Sequence, residues 1–153
     1  MRDIDPRLQR LLDIEEIKQL KAKYCWYADD PEYYDQFANL FAPDGRFIEP
    51  PTLEFEGREA IRRWMDEDYK PEVVWSRHFA VSPVIEVDGD SATGRWQGLL
   101  FSIVRKDDDT QGMLWAAGTY DEVYCRIGGE WLFDTVIADG LWMTDFNKGF
   151  QGR

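Results

Sequence analysis

His78 is the one histidine of the chain, and it lies in the stretch "VVWSRHFAVS", which otherwise reads as a buried strand. Histidine is a natural proton-transfer group because its unperturbed pKa is about 6.5. An elimination reaction needs such a base to remove a proton and an acid to protonate the leaving group. A buried carboxylate bound to one ring nitrogen would fix the tautomer of the base. From the pattern alone, however, a single histidine in a buried strand is more often structural than catalytic.

The residues before this strand form a helical first part. Apolar residues from Leu8 to Tyr27 recur at three- and four-residue spacing, and Pro31 disfavours helix in the residue before it, so the first helix is predicted over 6–29. A second short helix is predicted at "EYYDQFANLF", and "APDG" after it is a turn signal. The third helix is predicted at "GREAIRRWMDEDY".

The rest of the chain is rich in strands. "RFIEP" and "LEFEG" predict two short strands, and "VVWSRHFAVSPVIEV", "SATGRWQGLLFSIVRK", "MLWAAGTYDEVYCRI" and "EWLFDTVIADGLWMT" predict four long ones. Helices followed by a meandering sheet predict an α+β fold, a cone-shaped barrel of three N-terminal helices in a strongly curved, mainly antiparallel sheet. Glycines within the predicted strands fit bends or bulges; they are Gly94, Gly98, Gly118 and Gly140.

Side-chain alternation assigns the two faces of the strand that carries His78. Val74, Ser76, His78 and Ala80 fall on one face, and Trp75, Arg77, Phe79 and Val81 fall on the other. The small neighbours of His78 are consistent with a cavity on its face, and equally with a helix packed closely there.

Composition and charge limit the partners. The net charge of −12 disfavours nucleic acids and anionic membrane surfaces. The N-terminus lacks a signal-peptide pattern, and no window is long and apolar enough for a membrane span. Cys25 and Cys125 do not form a CxxC pair, so we predict reduced thiols in a cytoplasmic protein. A length of 153 residues predicts a single domain, 1–153.

The residue types present also limit which metals and ligands the chain could bind. One histidine and two scattered cysteines make a transition-metal site improbable, and no EF-hand pattern is present, although an all-carboxylate site stays open. Aromatic residues make up 15% of the chain, which suits either a thick core or a pocket for a flat organic ligand. The aromatic candidates for pocket walls are Trp96, Phe101, Trp115 and Trp142.

The order of these elements and several local motifs resemble one known group of proteins. The motifs are "DIEEIKQLKAKYCWYADDPEYYDQFANLFAPDGRF", "FEGREAIRRW", "RHF" and "GTYDEVYCRIGGEWLF". They resemble the SnoaL-like group of the nuclear transport factor 2-like superfamily over about residues 12–145. The closest look-alikes are scytalone dehydratase, bile acid dehydratase and hexachlorocyclohexane dehydrochlorinase. The resemblance implies a cofactor-free lyase with a His–Asp pair, and a homo-oligomer, trimer or dimer, formed through the outer face of the sheet.

The resemblance also implies roles for particular residues. The positions that match the pair are His78 and Asp29, with Asp30 as the fallback, and Tyr24 matches a tyrosine five residues before the aspartate. Other tyrosines that could assist or contact substrate are Tyr27 and Tyr120. Where the bile acid enzyme has an arginine on its last strand, "TVIADGLW" offers Asp139, which argues against an anionic substrate held there.

The sequence therefore predicts dehydratase-type elimination on a hydrophobic cyclic or aromatic small molecule, with His78 as base. Retro-aldol carbon–carbon cleavage of an aromatic diol would use the same residues. Ketosteroid-type isomerisation by proton shuttling is the next alternative. A non-catalytic binding module is the alternative from another class, because this superfamily includes both. An epoxide hydrolase would need an Asp–Arg–Asp set, for which Arg95 with Asp121 or Asp139 is the candidate.

Overall fold

The first helix positions half of the predicted site. The structure, a computed structural model, describes residues 4–148 except for the side chain of Leu141. Helix α1 spans Pro6–Ala28, and the side chain of its N-cap residue Asp5 accepts a hydrogen bond of 2.8 Å from the backbone N–H of Arg7. Asp29 is the C-cap residue of α1. The predicted boundaries of this helix are therefore confirmed to within one residue.

The remaining helical segments are shorter than predicted or differ in type. After a 3-10 turn at Pro31–Tyr33, helix α2 spans Tyr34–Asn39. Helix α3 spans Arg58–Trp64 and continues as a π-helical turn at Met65–Tyr69 and helix α4 at Lys70–Glu72. The third predicted helix is thus present, but its second half widens to a π-turn and extends three residues further.

Six strands form one sheet in the described part of the chain. They are β1 (Phe41–Glu49), β2 (Leu53–Glu56), β3 (Val73–Asp88), β4 (Ser91–Arg105), β5 (Gln111–Ile127) and β6 (Glu130–Asp145). Their order is β2-β1-β6-β5-β4-β3, and each neighbouring pair is antiparallel except β1–β6, which is parallel. The sheet is curved and unclosed, so the predicted α+β cone is confirmed.

The predicted "APDG" turn is wrong. Strand β1 begins at Phe41, before these residues, and they form an irregularity within it: Phe41 pairs with Phe133, whereas Arg46 already pairs with Thr135. Between these two pairs the chain advances by five residues in β1 but by only two residues in β6. Pairing along β6 overrides the local turn preference, and the extra residues form a bulge.

Helix α1 packs into the concave face of the sheet. Ile17 and Leu20 of this helix lie in the core with Phe37, Phe41 and Phe133. The leucines of its first turns, Leu8, Leu11 and Leu12, are exposed, although their spacing predicted a continuous apolar stripe. The helix thus enters the core only from its second half, which brings its C-terminal end over the sheet.

Two glycines of β4 allow tyrosine rings to approach the sheet closely. A Cβ atom added at Gly98 would lie 2.7 Å from Cε2 of Tyr120, and one at Gly94 would lie 2.7 Å from the hydroxyl of Tyr124. Real Cβ contacts are never this short, so both positions require glycine while the rings stay in place. The rings of Tyr120 and Tyr124 therefore lie directly against the inner face of the sheet.

The outer face of the sheet is apolar and exposed. Ser76 of β3 is buried, whereas Trp75, Phe79 and Val81 are exposed. This is the predicted alternation, although Val74, assigned to the inner face, is exposed as well. None of the helices in residues 4–148 combines the length and the apolar character needed to cross a membrane.

Candidate active site

A cavity of about 760 Å³ lies between the end of α1 and the curved sheet. Its walls come from all four helices, the π-turn and every strand of the described sheet. Most of its lining is apolar, and its interior polar side chains are few. The lining residues that matter for the chemistry are Tyr24, Glu49, Tyr69, His78, Gly98, Ser102 and Tyr120.

His78 lies in the cavity wall and is bound by Asp29. Nδ1 of His78 lies 2.7 Å from Oδ1 of Asp29, and the backbone N–H of His78 donates to Oδ2 at 3.0 Å. The two side chains are only 10% and 8% exposed. The structure therefore joins two residues that are 49 positions apart in sequence. Since Nδ1 is engaged by Asp29, Nε2 is the ring nitrogen available to a ligand.

The charge state of Asp29 fixes the tautomer of this histidine. Burial raises the pKa of Asp29, but hydrogen bonds and charge from His78 and a hydrogen bond from Ser76 lower it more, so the net pKa lies below its usual value. Asp29 is thus an ionised acceptor at neutral pH. The proton of neutral His78 must lie on Nδ1, which leaves a lone pair on Nε2. The pair has the arrangement of a general base and its orienting carboxylate.

A chain of two hydroxyl groups also binds Asp29, at the oxygen that contacts the His78 ring. Ser76 Oγ donates to Asp29 Oδ1 at 2.7 Å, and the hydroxyl of Tyr69 donates to Ser76 Oγ at 3.2 Å. Asp29 therefore accepts three hydrogen bonds, which offsets the cost of an acid at a helix C-terminus. Because the Tyr69 proton is directed to Ser76, its oxygen can only accept a hydrogen bond from a ligand.

Tyr24 and Tyr120 form the deep wall of the cavity. The Tyr24 ring lies edge-on to both His78 and Tyr120, with centroids 6.5 Å and 5.8 Å away. Among the described residues the Tyr24 hydroxyl has no hydrogen-bond partner, so its proton is available to a ligand. Burial raises the pKa of Tyr24 well above its ordinary value, and of Tyr120 likewise. Both hydroxyls remain neutral donors at physiological pH.

A buried ion pair lies behind these two tyrosines. Nζ of Lys21 is 2.5 Å from Oε1 of Glu122, and the two side chains are 1% and 0% exposed. The same ammonium lies 3.9 Å from the Tyr24 ring centroid and 3.4 Å from that of Tyr120. The hydroxyl of Tyr124 donates to the second oxygen of Glu122. The pair thus supports both rings from the side opposite to the cavity.

The four aromatic residues predicted as pocket walls all lie outside this cavity, as does Tyr27. Trp96 is buried and donates to the Tyr124 hydroxyl at 3.0 Å, and Tyr27 stacks on Tyr33. Phe101 contacts Phe79, an exposed residue of the outer face, and also contacts Trp115. The predicted positions that do not line the cavity are Tyr27, Trp96, Phe101, Trp115, Asp139 and Trp142.

The charged residues considered for substrate binding or epoxide hydrolysis also lie outside the cavity. Asp139 is exposed and accepts from the backbone N–H of Gly140 at 2.5 Å. Arg95 and Asp121 form a surface pair at 2.6 Å, so the set considered for epoxide hydrolysis does not face the cavity. Within residues 4–148, no three His, Cys, Asp or Glu side chains are grouped to hold a metal ion.

Sequence reasoning missed Tyr69, Glu49 and the Lys21–Glu122 pair. A signal existed for Glu49, because alternation from Phe47 in "RFIEP" assigns Glu49 to the inner face. No local pattern marked Lys21, which lies on a helix with many charged residues. Tyr69 follows a run of acidic residues that reads as a solvated helix end.

Comparison with known proteins agrees with this fold. The profile of the family described as SnoaL-like domain matches residues 9–137. A hexachlorocyclohexane dehydrochlorinase from Novosphingobium barchaimii is similar at 18% identity and a TM-score of 0.81, covering 92% of this chain and 94% of that one. A candidate scytalone dehydratase from Novosphingobium aromaticivorans has 20% identity and a TM-score of 0.76, over 94% and 91%. A Mycobacterium tuberculosis protein of unknown function has 24% identity and a TM-score of 0.72, over 90% and 77%. The resemblance read from the motifs is confirmed.

Proposed function

We propose that this chain, which belongs to the SnoaL-like domain family, is a cofactor-independent lyase that eliminates water from a hydrophobic cyclic or aromatic small molecule. The observation that carries the proposal is the 2.7 Å contact between His78 and Asp29 in the wall of a largely apolar cavity. Dehydrating and dehydrochlorinating relatives of the same fold support the reaction class.

In the proposed reaction, Nε2 of His78 removes a proton from a carbon of the substrate. Asp29 orients the ring and stabilises the imidazolium that forms. The free hydroxyl of Tyr24 is the donor that polarises a carbonyl or assists the leaving oxygen, whereas the Tyr69 proton is committed to Ser76. Among the described residues, a substrate carboxylate would find no buried cation at the wall, because the ammonium of Lys21 is paired with Glu122 behind it.

A base-only reaction tests the role of His78 without knowledge of the natural substrate. Ring opening of 5-nitrobenzisoxazole transfers one proton from carbon to a base, and the nitrophenolate product needs no acid. We expect the wild-type protein to accelerate this reaction well beyond an equal concentration of free imidazole. His78→Ala should reduce the rate to that background with an unchanged circular dichroism spectrum.

Two results would count against the proposal. Equal rates for wild type and His78→Ala would exclude the histidine as base, and no acceleration by wild type would favour a binding module. Thermal-shift screening against aromatic and polycyclic alcohols, beside the matching carboxylates, then addresses the substrate. Neutral alcohols should raise the melting temperature and the carboxylates should not.

We also propose that the chain acts in the cytoplasm as one domain, residues 1–153, and as a homo-oligomer, trimer or dimer. The exposed apolar side chains on the outer face of the sheet support self-association there, because a patch of this kind is unusual on a monomer. They include Trp75, Phe79, Val81 and Met113.

A further inference from the structure

Glu49 is an ionisable group inside the cavity that the proposed reaction has not used. It is the last residue of β1, and alternation places it on the same inner face as Phe47, so both line the cavity. Glu49 is half-buried. In the described part of the chain its carboxyl has no hydrogen bond or ion pair with another residue, unlike Asp29, which accepts three hydrogen bonds.

The surroundings of Glu49 favour its neutral form. Burial raises its pKa above the ordinary value of a glutamate. Burial is the main cause of the raised pKa values of Tyr69 and Tyr120, and the charge that Glu49 would carry when ionised raises both further. A carboxyl held in apolar surroundings is a common way to keep an acid protonated near neutral pH.

The other titratable groups of the cavity are one histidine, three tyrosines and charged groups at its rim. Tyr24 and Tyr120 are phenols whose pKa burial raises. His78 is the base, and the Tyr69 proton is directed to Ser76. The charged groups at the rim are exposed: Asp68, Glu72 and Arg105. A carboxylic acid is a stronger proton donor to a departing hydroxide than the phenol of a tyrosine whose pKa is raised. Glu49 is the carboxyl inside the described cavity that can serve as this donor.

We propose that Glu49 is a second catalytic residue, which protonates the leaving hydroxyl group while His78 removes a proton from the neighbouring carbon. This inference rests on the proposed elimination and narrows its substrates to neutral β-hydroxy carbonyl compounds. The carbon–hydrogen electron pair forms the new double bond, the carbon–oxygen bond breaks, and the oxygen leaves as water with the proton of Glu49. The proton on His78 then returns to Glu49 through water, which restores both groups. Tyr24 is left to donate to the carbonyl oxygen.

Two probe reactions separate the acid from the base. Dehydration of 4-hydroxy-4-phenylbutan-2-one needs both groups, whereas ring opening of 5-nitrobenzisoxazole needs only the base. We expect Glu49→Gln to lower kcat/KM for dehydration by about 100-fold or more, the usual contribution of a positioned acid, and to leave ring opening unchanged. The control Glu56→Gln removes an exposed carboxylate of β2 that does not line the cavity and should affect neither reaction.

The pH dependence and chemical rescue give readouts that a structural role would not produce. Wild-type dehydration should decline on the alkaline side as Glu49 ionises, and this decline should be absent for ring opening. Glu49→Ala should regain part of its dehydration rate when acetic acid is added, and not when chloride is added at the same ionic strength.

The outcomes distinguish this proposal from the one on which it rests. If Glu49→Gln lowers both reactions equally, or neither, Glu49 is not the acid, while ring opening that depends on His78 would still support the lyase. If ring opening does not depend on His78, the lyase and the role of Glu49 are both overturned. Absence of acetate rescue together with an unchanged alkaline limb in Glu49→Gln would also overturn the assignment.

Discussion

Replacing Asp29 with asparagine tests the hydrogen-bonding argument at its centre. Asparagine has the size of aspartate but only one acceptor oxygen, whereas Asp29 accepts from the ring and backbone of His78 and from Ser76. If the amide oxygen faces the backbone N–H, its NH₂ group faces Nδ1 and moves the imidazole proton to Nε2. If the amide is flipped, the backbone N–H of His78 is left facing another donor.

The two orientations have different consequences of known size. Moving the proton to Nε2 removes the base from the cavity side, and we expect a loss of about 10²–10⁴ in rate. An unpaired buried N–H costs about 1–3 kcal/mol, or a melting temperature lower by about 2–12 °C in a protein of this length. We expect the first orientation to dominate, because it leaves fewer donors unpaired, with a large loss of rate and a small loss of stability.

The single histidine makes the assay direct. In tag-free ¹⁵N-labelled protein, every imidazole signal in a two-bond ¹H–¹⁵N correlation spectrum belongs to His78. Neutral wild type should show a protonated Nδ1 and a pyridine-type Nε2, and Asp29→Asn should show the reverse. Asp30→Asn is the matched control, since within the described residues the Asp30 side chain accepts only from the backbone N–H of Glu32. An unchanged tautomer with an unchanged ring-opening rate in Asp29→Asn would refute the reasoning.

The direction in which stability changes with pH gives a further check on Asp29. The pKa of Asp29 is lower in the folded protein than its ordinary value. Its ionised form therefore stabilises the fold above the unfolded pKa of about 3.9, and this contribution is lost as the pH falls through the lower folded value. The stability difference between wild type and Asp29→Asn should consequently shrink below about pH 4, when followed by urea denaturation.

Three further predictions concern other parts of the molecule. Tyr24→Phe should reduce dehydration by about 100–1,000-fold with no loss of melting temperature, because its hydroxyl stabilises no other described group; an unaffected rate would remove it from the mechanism. Lys21→Met should lower the free energy of unfolding by about 3–5 kcal/mol in urea denaturation, since it leaves Glu122 buried without its cation. Adding Glu122→Gln should recover part of that loss. A cost under about 1 kcal/mol would contradict a buried pair. Phe79→Asp should convert the homo-oligomer to a monomer in light scattering coupled to gel filtration, and a monomeric wild type would contradict self-association through this face.

The long elements could be predicted because their local signals agree with the final packing. Helix α1 has a capping aspartate, an apolar period and a proline after its end, and the turns between β3 and β4 and between β5 and β6 are glycine-containing hairpins. The irregularity in β1 could not be predicted, since it depends on a parallel partner almost 90 residues later, which no local pattern reveals.

Only part of the site could be predicted, because its residues also come together through contacts that are distant in sequence. The proximity of Asp29 and His78 came from the resemblance, because an acid at a helix end has no local feature that points to a distant strand. The aromatic walls were assigned without knowing the phase of alternation in β4. Leu100 and Ser102 line the cavity, so Phe101 between them must face outward. When a strand has apolar residues on both faces, its sequence does not show which residues face the cavity.

The contact between Gly98 and Tyr120 has a consequence for how such proteins diversify. Any side chain at position 98 would meet the Tyr120 ring at 2.7 Å and force it from its place, and the open space beside that ring is the cavity. A single nucleotide change from a glycine to an alanine codon would thus reshape the ligand space while His78 and Asp29 stay untouched. Descendants of one ancestor could in this way acquire new substrates in one mutational step while keeping the same proton chemistry.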